Sequence, residues 1–231
     1  MPLGLPADSS LRQAQRLPRE FYNRDPVTVA RELLGKLLIR RDDRRVLAGR
    51  IVEDEAYLGA DDPAAHAYAG RTPRNAVLFG PPGHAYVYFI YGNHYCLNVS
   101  CMPEGYGAGV LFRAMEPVAG WEEMARARGL DLSGAAPSFR QNLAKGWENS
   151  RWLRLISSGP GRMSQALGIT RDRDNGKDLT SPRSDLWFAD DGYRPEEIIA
   201  TPRVGIRKAV EQKLRFLVVG NPYVSGTRST L

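Results

Sequence analysis

Apolar residues at Val27, Ala30, Leu33, Leu34, Leu37 and Leu38 follow the spacing of one helical face, and Asp25-Pro26 ahead of them offers an N-cap and a first-turn proline. This predicts an amphipathic helix over 27–38. Beyond a charged turn at 40–45 the period changes: 46–58 is rich in β-branched residues and alternates, which predicts a long strand with Glu53, Glu55 and Tyr57 on one face. Residues 59–74 show no periodicity and read as a long ordered loop, a kind of segment that often carries function. Two further alternating runs, 85–91 and 94–101, flank Gly92-Asn93 and give the signature of a β-hairpin with Tyr91 protruding beside its tip. A strand at 109–115, a helix at 121–128 and a polar connection at 129–150 come next. Ser157-Ser158-Gly159-Pro160-Gly161-Arg162 then opens a helical pattern through Leu167, followed by a strand at 186–189, a basic stretch at 203–213 and a last strand at 214–219. With no internal repeat and no break in composition, the simplest account is one α+β domain with a mostly antiparallel sheet, behind a flexible leader at 1–16.

Composition adds a partner and a compartment. A chain of 231 residues with 42% hydrophobic residues can bury a core without disulfides. Its 32 Lys and Arg against 26 Asp and Glu leave a charge of +6, which favours a polyanionic partner. Cys96 and Cys101 lie five apart in a strand-like run, so they sit on opposite faces and do not easily pair. Free thiols, a leader lacking a signal peptide's apolar core, and no run near the ~18 apolar residues of a membrane span point to a cytoplasmic chain with no membrane association.

Four segments could carry chemistry. Residues 53–62 hold Glu53, Asp54, Glu55, Asp61 and Asp62 with no Lys or Arg, which is either a solvated strand end or a group held as a base. A metal reading through Asp61, Asp62 and His66 matches no zinc spacing, and His84 and His94 have no helical partner, so no metal is expected. The hairpin carries Tyr86, Tyr88, Phe89, Tyr91 and Tyr95, which either fill a core or stack on bases, with Tyr91 placed to wedge into a base stack. Gly159-Pro160-Gly161-Arg162 opens a helix in a manner that suits a phosphate or an ordinary capped turn. The last, 201–215, sets Arg203, Arg207, Lys208, Lys213 and Arg215 against Glu211, as nucleic-acid backbone contacts or as a wet face.

Together these residues resemble the alkyladenine (3-methyladenine) DNA glycosylase family. The resemblance is carried by Glu53-Asp54-Glu55-Ala56-Tyr57-Leu58-Gly59, Ala64-Ala65-His66, Arg71-Thr72-Pro73-Arg74-Asn75, Tyr86-Val87-Tyr88-Phe89-Ile90-Tyr91-Gly92, Leu97-Asn98-Val99-Ser100 and Val110-Leu111-Phe112-Arg113-Ala114-Met115-Glu116-Pro117. It continues through Ser158-Gly159-Pro160 and Arg203-Val204-Gly205, in order from about residue 17 to 220. It implies a single glycosylase domain over 17–231 with a curved sheet flanked by helices and a hairpin that enters the minor groove, no cofactor and no metal. The implied enzyme is monofunctional and acts on double-stranded DNA containing damaged purines. Glu55 would deprotonate a water held by Arg113 and the carbonyl of Val204; Tyr57, His66, Tyr88 and Leu111 would line the base pocket, and Asn98 would collide with guanine's exocyclic amino group. Tyr91 would fill the gap in the duplex, while Arg71, Arg74, Asn93, Arg162 and Arg171 would contact the DNA.

Strand alternation agrees with this transfer, since Glu55 and Tyr57 share a face, as do Leu111 and Arg113. A lyase would need an amine nucleophile, and no Lys lies between Lys36 and Lys145. Water is therefore the expected nucleophile. The alternatives are a catalytically silent nucleic-acid-binding module of the same fold and a hydrolase of small substrates. A monomer associated with the nucleoid through DNA is the expected state.

Overall fold

The alternating run at 46–58 forms β3 (Val46–Tyr57), and the sheet is built around it. The computed structural model describes residues 11, 13–41, 45–90, 92–130 and 151–226. The first half of β3 pairs with β2 (Leu37–Arg41) and its second half with β9 (Arg215–Val218), while β6 (Ala108–Ala119) runs along its other edge. The hairpin of β4 (Ala85–Ile90) and β5 (His94–Cys101) extends the sheet past β6. On the far side β7 (Leu186–Asp190) pairs with β2 and with the short β1 (Gln15–Arg16), the last two residues of the leader. An edge strand not expected from the sequence, β8 (Ile198–Thr201), pairs with β9; its four residues are all half-buried and show no alternation. The order β1-β7-β2-β3-β6-β5-β4 is antiparallel throughout, and among the described residues six helices flank it: α1 (Arg19–Tyr22), α2 (Pro26–Leu33), α3 (Trp121–Ala127), α4 (Arg151–Ser157), α5 (Pro160–Ala166) and α6 (Arg171–Asp174). The class is α+β, as expected.

The helix predicted over 27–38 is half as long and half something else. Asp25 caps it by accepting from the N–H groups of Val27 and Thr28, and it stops at Leu33. Gly35 takes φ +87°, where a side chain would be strained and a Cβ would sit 2.9 Å from Pro195. Leu37 and Leu38 then run buried between β3 and β7. A short apolar run satisfies helix and buried-strand patterns alike, and two such patterns abut here. Arg40, read as the start of a charged turn, belongs to β2 and is buried, its Nη2 2.7 Å from Asp174.

Alternation sorts the sheet into two faces. Val52, Ala56, Val87, Leu97, Val99, Cys101, Val110 and Phe112 pack into the main core with Val29 and Leu33 of α2 and Met163 of α5. Their strand neighbours Tyr86, Tyr88, Cys96 and Leu111 gather on the opposite face with Tyr57. The two cysteines thus lie on opposite faces, both free and buried. Register shifts where Ile51, Glu53 and Asp54 meet β6 bend the strands just before Glu55, as β-bulges do. Tyr91 and residues 131–150, most of the polar connection, lie outside the described residues. Among the described residues no helix is long and apolar enough to cross a membrane.

Candidate active site

Antiparallel register places Glu55 opposite Leu111, Leu111 opposite Asn98, and Asn98 opposite Tyr86. Neighbouring strands lie about 4.8 Å apart, so these four form one lateral row across the non-core face. Glu55 is fully buried. Its Oε1 accepts the Val204 N–H at 2.8 Å and lies 3.1 Å from Arg113 Nη1, while its Oε2 accepts the Tyr57 hydroxyl at 2.9 Å. Burial, then the nearby Glu55 charge, push the Tyr57 phenol well above its usual pKa, so it stays protonated and donates.

Glu53, two residues back on the same face, is a second buried carboxylate with a different task. Its Oε1 takes Arg113 Nε at 2.9 Å, Arg215 Nε at 2.6 Å and the Ser225 hydroxyl at 2.9 Å, and its Oε2 takes the Ser225 N–H at 2.5 Å. Two glutamates and two arginines therefore balance within the sheet. A buried ion missing its partner costs several kcal/mol, and here each has one. Burial works against the Arg113 charge, but Glu55 and Glu53 outweigh it and raise its pKa.

In front of this row opens a cavity of about 650 Å³, walled by Tyr57, His66, Tyr86, Tyr88, Asn98 and Leu111. Residues 158–162 and 204–208 form its other sides. The His66 ring stands edge-on to Tyr88, centroids 4.6 Å apart, with Nδ1 3.0 Å from the Tyr86 hydroxyl. Burial and the Arg74 charge lower the pKa of His66 below 6.5, so the ring is neutral at pH 7. Asn98 is fixed by donating from Nδ2 to the Tyr86 carbonyl at 3.1 Å. This size and aromatic lining, with a few polar groups converging, suit one planar ligand and its attachment.

The structure brings Glu55, Arg113, Val204, Tyr57, His66, Tyr88, Asn98 and Leu111 to one place, with Arg162 also on the cavity. Arg71, Arg74, Asn93 and Arg171 are exposed and do not line it, although Arg74 lies 5.7 Å over the Tyr88 ring. Two residues of the basic stretch are corrected: Arg203 and Arg215 are buried and paired with Asp62 and Glu53, so neither is a wet face or a backbone contact. Lys208 lines the cavity from the distant 204–208 segment, although the stretch between Lys36 and Lys145 that carries the strand motifs holds no lysine. Glu53 could have been singled out by its place at i−2 of Glu55. Ser225, which acts partly through its backbone N–H, left no signal in the sequence.

Comparison with known proteins shows the family. The profile of the methylpurine-DNA glycosylase (MPG) family matches residues 20–222. A protein of Koribacter versatilis (strain Ellin345) is 60% identical over 220 residues, which cover 95% of this chain and 98% of that one. One of Burkholderia cenocepacia (strain HI2424) is 47% identical over 211 residues, 91% of each chain, and one of Methanoculleus marisnigri is 47% identical over 217, 90% of this chain and 98% of the relative. All three carry 3-methyladenine DNA glycosylase in their names. The chain belongs to the methylpurine-DNA glycosylase family and is a DNA-repair hydrolase acting on DNA.

Proposed function

We propose that this glycosylase rotates an alkylated or deaminated purine out of duplex DNA into the cavity, and that Glu55 takes a proton from the water that displaces the base. The substrate class is 3-methyladenine, 7-methylguanine, hypoxanthine and ethenoadenine, and the product is an abasic site. The observation that carries this reading is the buried Glu55 carboxylate, fixed by two hydrogen bonds and an ion pair behind an aromatic cavity. A carboxylate has about four acceptor positions. Val204 and Tyr57 fill one on each oxygen, and Oε2 keeps a position to receive a proton. Arg113 and the Val204 carbonyl hold the water, and its oxygen bonds to C1′ as the bond to the base breaks and the electron pair leaves with the base.

A purine methylated at N3 or N7 is cationic, so it leaves as a neutral molecule and stacks well on electron-rich rings, whereas hypoxanthine and ethenoadenine are uncharged and leave as anions that take a proton from solvent. Tyr57, His66 and Tyr88 supply those rings, Leu111 an apolar contact, and the neutral state of His66 avoids repelling a cation. Asn98 disfavours guanine's amino group. Flipping costs a few kcal/mol, less for a damaged pair, and Tyr91 fills the vacated stack. Arg71, Arg74, Asn93, Arg162 and Arg171 hold the DNA, and one monomer suffices.

Lys208 on the cavity favours a second reading, strand cleavage through a Schiff base. Both readings are tested with duplexes each carrying one candidate base: alkali-dependent cleavage without borohydride trapping supports hydrolysis, whereas a trapped covalent complex lost in Lys208→Ala supports the lyase. No base release from any duplex would refute both.

A further inference from the structure

Asp62 has no part in the chemistry above and does not line the cavity. It is fully buried where the 3-10 turn Gly59–Asp61 ends. Its Oδ2 accepts the Leu58 N–H at 3.3 Å and its Oδ1 the Ala64 N–H at 3.0 Å, so it fixes the chain where β3 gives way to the cavity wall that carries His66. Arg203 meets it with both arms: Nη2 donates to Oδ1 at 2.8 Å and Nη1 to Oδ2. The same Nη1 donates to the Ala56 carbonyl at 3.0 Å, and the guanidinium lies 4.6 Å over the Tyr57 ring. The next residue is Val204, whose N–H reaches Glu55. Five positions beyond Arg203, the exposed Lys208 lies 5.7 Å over the Tyr68 ring.

Both partners are ionised: burial opposes each charge, but Arg203 and two backbone N–H groups hold the Asp62 pKa below the usual carboxylate value, and Asp62 raises that of Arg203. A buried ion pair is weak evidence for stability, because an apolar pair of the same shape often does as well. What a planar fork on a carboxylate adds is direction.

We propose that Asp62 and Arg203 are a positioning pair that aims the Val204 N–H at Glu55 and holds the Tyr57 ring toward the base, without touching substrate. This rests on Glu55 acting as the base. The test measures single-turnover release of 3-methyladenine and affinity for undamaged duplex in wild type, Asp62→Asn, Glu55→Gln and the double variant. Small misplacement of a reacting group costs up to about 100-fold, so Asp62→Asn should slow release about 10- to 100-fold while duplex affinity stays within about twofold. In the Glu55→Gln background the same change should alter the residual rate less than about twofold, since residues acting as a unit are non-additive. A wild-type rate in Asp62→Asn, affinity falling in step with rate, or an equal loss in both backgrounds would overturn the proposal. Wild-type activity in Glu55→Gln would instead remove the reading beneath it. Should Asp62→Asn not fold, Arg203→Lys keeps the charge but cannot span Asp62 and the Ala56 carbonyl; a rate about tenfold lower at unchanged affinity is expected, and an unchanged rate overturns the pair.

Discussion

Asp54 sits between Glu53 and Glu55 but faces the other way, into the main core. It lies opposite Phe112 on β6 and Phe216 on β9, and neither carboxyl oxygen has a hydrogen-bond partner among the described residues. Burial raises its pKa well above the ordinary 3.8, and the charges of Glu53 and Glu55 raise it further, so it is the protonated form that folds. An acid whose native pKa is raised binds a proton that the unfolded chain releases. Its contribution is therefore intact below the unfolded value of about 4 and declines as pH rises toward the native value, by about 1.4 kcal/mol per pH unit. Asp54→Val replaces it with an apolar, β-branched residue and removes this slope. Urea unfolding at several pH values between 5 and 8 should show the wild type losing about 1.4 kcal/mol per unit relative to Asp54→Val for as long as Asp54 stays protonated. The variant should be the more stable protein at pH 8. Every other titrating group is common to both proteins, so the difference isolates Asp54. Parallel stability curves, or a wild type that gains on the variant with rising pH, would refute the reasoning.

Other substitutions separate chemistry from scaffold. Tyr57→Phe keeps the cavity ring and removes the hydroxyl that donates to Glu55 at 2.9 Å; a bond to a charged group is worth about 1.5–3 kcal/mol, so single-turnover release should fall about 10- to 100-fold at unchanged duplex affinity. Glu53→Gln leaves Arg113 and Arg215 without the carboxylate they share. It should destabilise the fold by about 3–5 kcal/mol, read as a lowered unfolding midpoint, and an unchanged midpoint would contradict the pairing.

How much of this was legible in the sequence follows from the range of each interaction. Alternation is local, so the strand positions of Glu55, Tyr57, Leu111 and Arg113 and the separation of Cys96 from Cys101 could be read directly. The family resemblance joined those strands into one pocket; alternation alone could not, because it does not say which strand lies beside which. Long-range charge pairing was invisible. Arg203 and Arg215 look like surface residues until their carboxylates, 141 and 162 positions away, are found beneath them. Leu37 and Leu38 misled for the opposite reason, extending a helical spacing by chance into a strand that a left-handed glycine sets off.

Activation of water by the Glu55 carboxylate is the step on which the proposed hydrolysis rests. Its most direct test is single-turnover release of 3-methyladenine from duplex DNA by wild type and Glu55→Gln, at enzyme concentrations that saturate binding. General-base catalysis contributes about 10²- to 10⁴-fold, so a loss of that size with duplex affinity retained is predicted. Equal rates in the two proteins would contradict the account.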